Sequence, residues 1–301
     1  MVRKLWLAFL LLGIAPVFAG SGGNITVAGY GLAPLPELAI ITIDEVLAPG
    51  VNRMEIDVEF GLGEISLERG NPAKAVTGYL QYDEEYIRPE VDYSVRAGVA
   101  RFSLATESRR GGWEGLRIPD MESPESELYF TTRVPMEVNF SCGLGEANLD
   151  LGELQVTNLN LENGLGETVL DFSAPNGVEL RRIDVDNGLG KLTASNLSNS
   201  RAEELRFDCG LGSAELDFSG ETLRDMSVDV TIGLGSVTML IPRGFNVEMQ
   251  AEENFLSSID TRDMVIRGGG RYQSENFDSR KPTLRITASV GMGSININWT
   301  D

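Results

Sequence analysis

The side chains available for chemistry in this chain are carboxylates. Its 301 residues hold 45 Asp and Glu against 25 Lys and Arg, for a net charge of −20, and no histidine. Histidine is the commonest general base near neutral pH and the commonest metal ligand, so a site of either kind would have to be built from acids. A catalytic carboxylate pair is a single pair facing a pocket. Here the acids recur instead at fixed offsets from a repeated Gly-Leu-Gly. Two residues before the motif stand Glu162, Asp186 and Asp208, and seven after its first glycine stand Asp150, Asp171 and Asp217. If equal offsets become columns, carboxylates about 5 Å apart could hold Ca²⁺, with Glu162, Asp186 and Asp208 as the candidate ligands. A solvated acidic face is the other reading, since no Gly-rich calcium loop accompanies them. No cofactor, no other metal and no catalytic residue is expected. A carbohydrate-processing enzyme would need one acidic cluster set in a groove with exposed aromatics.

Two further patterns invite a chemical reading. Gly-x-Gly could suggest a dinucleotide turn, but that fingerprint needs a third glycine and a following helix. This motif occurs seven times and is followed by strand patterns, which excludes the idea. Cys142 and Cys209 both directly precede a copy, three units apart. In a stack of layers about 4.8 Å apart they lie roughly 14 Å from each other, beyond the ~7 Å between Cα atoms that a disulfide allows. Two buried, reduced thiols are expected, with Asn163 and Asn187 stacked inward between them as an amide ladder. The acidic field repels phosphate backbones, so no nucleic-acid partner is expected.

A repeat must position these residues. Copies of the motif occur at Gly61-Gly63, Gly143-Gly145, Gly164-Gly166, Gly188-Gly190, Gly210-Gly212, Gly233-Gly235 and, as Gly-Met-Gly, Gly291-Gly293. From Gly143 to Gly233 they are spaced 21, 24, 22 and 23 residues apart, and Asn254-Phe255-Leu256-Ser257 reads as a degenerate copy 21 residues further on. With the first glycine as position 0, apolar residues fall at −5, −3 and −1, as in Val138, Phe140 and Cys142. After the motif they fall at +4, +6 and +8, as in Val237, Met239 and Ile241. Each alternation is a strand with one buried face. Between the two the buried face slips by one residue, and the two glycines permit the corner that a slip requires. The motif's Leu is in phase with the first strand. It is therefore expected to point inward, with Leu144, Leu165, Leu189, Leu211 and Leu234 forming an internal apolar ladder. One unit of about 22 residues cannot bury its own face, whereas a stack of units can. The expected fold is all-β, a stacked parallel β-solenoid. A β-sandwich is the rival, but it gives no reason for one corner to recur at one phase.

The rest of the chain is less regular. Residues 1–19 read as a secretory signal: Arg3 and Lys4, an apolar run from Leu5 to Ile14, and Pro16-Val17-Phe18-Ala19 as the exit, with cleavage expected after Ala19. An uncleaved anchor is the alternative, although the run is short for a span and no other stretch approaches one. Processing removes two bases and no acid, leaving 23 against 45 and a net charge of −22. The mature chain is expected to be exported, periplasmic or at the cell surface, with no transmembrane segment. Residues 20–36 form a Gly- and Pro-rich lead-in, and 37–107 a smaller β region with strand patterns at Leu38–Ile43, Met54–Leu67, Val76–Tyr82 and Val91–Leu104. Residues 108–132 read as a loop and 133–301 as the solenoid. Within it, 261–283 is a basic insertion carrying Arg262, Arg267, Arg271, Arg280 and Lys281, read first as a solvated loop and otherwise as a contact for an acidic partner or a lipid surface, and expected to be removable without loss of the fold.

Several features, taken in order, resemble the toast-rack or adhesin-like domains of bacterial envelope proteins. They are the Gly-Leu-Gly-Glu after the strand Met54 to Phe60, the stretch Tyr82 to Pro89 leading into Val91-Asp92-Tyr93-Ser94, and Leu149-Asp150-Leu151, Leu170-Asp171-Phe172 and Leu216-Asp217-Phe218 after successive motifs. Ile241-Pro242-Arg243-Gly244 and the closing Gly-Met-Gly strand complete the set, so that the likeness covers residues 37–300. The resemblance implies a stacked parallel β-solenoid at or near the envelope, and offers no catalytic residue to carry over. The expected function is a non-catalytic, exported structural or interaction module that binds an envelope protein or a surface polymer. An accessory regulator of envelope-stress signalling is the alternative, and a carbohydrate-processing enzyme comes last.

Overall fold

The computed structural model describes residues 38–108, 124–252, 257–260 and 263–301. Among them every long element is a strand, the single helical turn being a short 3-10 turn at Leu197–Ser200. No helix among the described residues is long and apolar enough to cross a membrane.

Seven long strands carry the Gly-x-Gly copies, and each runs through its motif without a break. They are β2 (Arg53–Arg69), β7 (Met136–Asp150), β8 (Val156–Asp171), β9 (Leu180–Ser195), β10 (Ala202–Asp217), β11 (Met226–Pro242) and β16 (Thr283–Thr300). They pair in parallel in that order, motif on motif, from Leu62 opposite Leu144 to Leu234 opposite Met292. Pairing in register keeps the glycine corners aligned and the apolar faces together, since a slip of one residue would turn the apolar residues to solvent. The interior is filled by columns such as Val58, Phe140, Leu161, Val185, Phe207, Val230 and Ala288, all buried in one continuous core.

Each end is closed by a layer made of two pieces. At the first end, β5 (Val99–Ser108) pairs with the first half of β2 and β6 (Glu125–Phe130) with its second half. Antiparallel strands β4 (Ile87–Arg96), on β5, and β3 (Lys74–Tyr82) then β1 (Ala39–Val46), on β6, complete that cap. At the other end, β12 (Asn246–Glu252) and β13 (Ser257–Asp260) cover the two halves of β16, and the hairpin β14 (Met264–Gly268) and β15 (Arg271–Ser274) extends β12.

Four expectations need revision. The Gly61 copy is distant in sequence but lies directly against the Gly143 copy, because β2 pairs with β7 across the whole motif. The strands either side of the degenerate copy do not follow β11: β16 pairs with β11, and β12 and β13 pair with β16, while Asn254, Phe255 and Leu256 themselves lie outside the described residues. Sequence spacing reports chain order, whereas hydrogen bonding selects the strand with the better-matched alternation. The single strand pattern at Val91–Leu104 is a hairpin, reversed at Ala97-Gly98, where both residues have positive φ (51° and 80°); two such residues make the turn that suits strand twist. Part of the stretch read as a loop is β6, whose Leu128 and Phe130 are buried. Residues 109–123 and 261–262, by contrast, lie outside the described residues, as do the signal and lead-in segments.

A candidate interaction face on the glycine corner

The corner departs from expectation at one residue, with large consequences. Position −1 is buried in every full rung, as at Cys142, Asn163, Asn187, Cys209, Ile232 and Val290. Position 0 is outward, and so is the Leu at +1: Leu165, Leu189, Leu211, Leu234 and Met292 are 46–50% exposed. Burial resumes at +4. The slip therefore falls between the first glycine and the leucine, ahead of where periodicity alone had placed it. At a convex corner the outer path is longer than the inner one, so the extra residue goes outside, and an inward Leu would compete with its neighbours for a narrowing interior.

The second glycine has a different task. It faces the adjoining layer, where a Cβ at Gly166 would sit on the carbonyl oxygen of Gly145. Its φ of +158° adds to the demand for glycine. The same relation holds for Gly235 over Gly212.

The result is an apolar rail on the outside of the molecule. Leu62 and Leu144 are half-buried members of it, followed by the five exposed ones. Adjacent members stand on paired neighbouring strands, so the rail spans six steps of about 4.8 Å, or roughly 29 Å. Acids flank its first half on both sides. Glu59, Glu162, Asp186 and Asp208 stand at −2, and Glu64, Glu146 and Glu167 at +3. Lys191, next in the +3 column, is held by Glu167 at 2.6 Å. At Leu211 the +3 flank becomes Ser213, and at Leu234 and Met292 both flanks are neutral, with Thr231, Ser236, Ser289 and Ser294.

Beside the rail, the outward positions −6 and −4 line a shallow trough of about 970 Å³. Its floor is a lattice of paired polar groups. Asn160 Nδ2 donates to Asn139 Oδ1 (2.6 Å), Arg181 to Asn158 Oδ1 (2.9 Å) and Arg182 to Glu204 Oε2 (2.7 Å). No aromatic side chain lines it.

The calcium candidates come together as expected: Glu162 lies opposite Asp186, and Asp186 opposite Asp208. Asp208, however, is engaged by Arg206 at 2.9 Å. Among the described residues no group of three or more His, Cys, Asp or Glu is arranged to hold a metal. The other acidic column serves the turns. Asp150 Oδ1 accepts from the Gly152 amide (3.0 Å), and Asp217 Oδ1 from the Ser219 amide (2.8 Å). Asp171 Oδ1 accepts from Asn196 Nδ2 at 2.8 Å. The Asp-x-Gly and Asp-x-Ser spacing was the available signal, because a carboxylate reaches the amide two residues on. Asn176 and Asn199, buried at the far turns, also escaped notice; Asn176 accepts from the Val156 amide and donates to the Val156 and Val178 carbonyls.

The internal column matches expectation in register and burial, although the amide ladder leaves the buried Asn163 Oδ1 without a hydrogen-bond partner. Cys142, Asn163, Asn187 and Cys209 are successive neighbours, both thiols are free and buried, and Asn163 Nδ2 donates to Asn187 Oδ1 at 2.8 Å. Burial pushes the Cys142 thiol up to about 11. The basic insertion is more deeply tied in than its composition suggested. Asn246 Nδ2 donates to the Asp278 and Lys281 carbonyls, Arg280 is paired with Asp278 at 2.7 Å, and Met264 is 8% exposed.

Residues 38–195 match the N-terminal domain of toast_rack, DUF2154. The chain belongs to the toast-rack family. No curated protein matches it. Among solved structures, the toast-rack chain is similar to a candidate cell adhesion protein from Clostridium sporogenes, at 18% identity and a TM-score of 0.48, covering 88% of this chain and 100% of that one. A candidate adhesin from Bacteroides fragilis follows at 12% identity and 0.42, covering 87% and 99%. A third, from Parabacteroides distasonis, stands at 15% and 0.34, covering 87% and 97%.

Proposed function

We propose that this toast-rack protein is an exported, non-catalytic interaction module of the bacterial envelope, and that it binds a partner protein along the leucine rail. The rail carries the reading. Single exposed leucines are ordinary on a protein surface, but an aligned file of five, each about half exposed, is a contiguous apolar strip of the sort that marks a binding site. Its acidic flanks favour a partner with an apolar strip edged by Lys or Arg. Export rests on the pattern of residues 1–19, and an envelope setting on family membership. Where the partner is a membrane sensor, the same face makes the protein an accessory regulator of envelope-stress signalling.

A photo-crosslinking residue in place of Leu189, installed in the producing cell, tests the reading, with a residue replacing Glu203 on the trough as the contrast. The expected result is a discrete adduct from position 189 that disappears when Leu211→Asp is added. Equal adducts from both positions, or persistence with Leu211→Asp, count against the rail. A surface polymer is the second reading, favoured by the amide and guanidinium groups of the trough; it predicts that Asn160→Ala and Arg182→Ala weaken binding while rail variants do not.

A further inference from the structure

Among the described residues, four strands are paired on one side only: β1 and β4 at one end, β13 and β14 at the other. Such edges are hazards that proteins guard with brevity, charge or proline. β4 is guarded by Arg88, Pro89 and Glu90. β13 has four residues, and β14 has five with Arg267 near its end. β1 has none of these guards across its first five positions. Its eight residues, Ala-Ile-Ile-Thr-Ile-Asp-Glu-Val, contain no Pro, Gly or Lys, and Ile40 is 60% exposed. It is bound to β3 from Ala39 opposite Tyr82 to Val46 opposite Lys74.

We infer that the open edge of β1 joins a second copy of this chain, as an antiparallel pair about a two-fold axis at Thr42. The strand is complementary to itself in that register. Its inward positions are Ile41 and Ile43, and its outward ones Ile40, Thr42 and Asp44. Centring the axis on Thr42 keeps inward residues opposite inward ones, with Ile41 facing the partner's Ile43. Asp44 then faces Ile40 and Glu45 faces Ala39, so no acid meets an acid. Moving the axis to Ile43 would set Glu45 against the inward Ile41, and moving it to Asp44 would set two aspartates opposite. Asp44 is moreover already neutralised by Lys74 at 2.7 Å. The pairing would run the β3–β1 sheet on into its copy, a two-fold isologous joint that closes and does not propagate.

The test uses the processed protein. Sedimentation over a wide range of concentration is expected to show a monomer–dimer equilibrium that tightens as salt rises, since both bodies are strongly acidic. Thr42→Cys places two thiols on Cβ atoms about 4.5–5.5 Å apart across the axis, and mild oxidation is expected to lock a covalent dimer. Ile266→Cys, on β14, is expected to give none. Thr42→Lys sets like charges opposite each other and should raise the dissociation constant by on the order of tenfold or more, with the melting of the monomer unchanged. A protein that stays monomeric at every concentration, or a folded Thr42→Cys variant that does not cross-link, overturns the inference. Rail variants leave this equilibrium untouched, so failure here and failure of the proposed function are separable.

Discussion

Truncating Leu189 and truncating Leu192, three residues apart on one strand, should have very different costs. Leu189 is 50% exposed at the corner, and Leu192 is fully buried at +4. Full burial of a Leu side chain is worth about 1.5–3 kcal/mol, so half of it retains roughly 1 kcal/mol. Leu189→Ala keeps the Cβ contacts and leaves no enclosed cavity, and its cost is expected at about 0.5–1 kcal/mol. Leu192→Ala removes the same atoms from the middle of the core, where the loss includes a cavity and comes to about 2–5 kcal/mol. Urea denaturation followed by far-UV circular dichroism separates the two. With a slope of about 2 kcal/mol per molar, the midpoint falls by less than half a molar in the first variant and by about one molar or more in the second. Stacked layers can unfold in stages, so hydrogen exchange at the amides of β8, β9 and β10 should be read alongside. Equal midpoint shifts for the two variants would return Leu189 to the interior and remove the rail.

Other outcomes follow from the same geometry. Gly166→Ala pushes a Cβ onto the Gly145 carbonyl and should cost about 2–4 kcal/mol, against about 1 kcal/mol for Gly269→Ala, which meets no atom and suffers only its φ of +64°; thermal melting distinguishes them. Asn187→Leu leaves the buried Asn163 amide without its acceptor and should cost about 1–3 kcal/mol, most of it recovered when Asn163→Leu is added; a double-mutant cycle measures the difference. Cys142 titrates near 9 when unfolded and near 11 when folded. Below pH 9 both states hold the proton and the thiol contributes no pH dependence. Between 9 and 11 the unfolded chain releases it first, so stability falls as pH rises; Cys142→Ala should flatten that part of a melting-temperature profile.

The sequence by itself determined the layers. Alternation on either side of a glycine pair specified strands with one buried face, and their recurrence at one phase demanded parallel stacking in register. The column of Cys142, Asn163, Asn187 and Cys209 followed from counting alone, because a strand's period of two admits no intermediate orientation. Counting could not decide where within four residues the slip falls. Leu165 is in phase with Leu161 along the chain and yet points to solvent, because the bend, a property of the closed coil, sends the extra residue to its longer outer path. Chain order likewise could not reveal that β16 inserts ahead of β12, or that β2 lies against β7. Those choices depend on which strand edges match once the coil exists. The bonds from Ser173 to Asp150 and from Asn196 to Asp171 are similar cases, made by residues that only the assembled stack brings within reach. The motif announced a corner; tertiary structure decided that the corner shows its leucine to the outside.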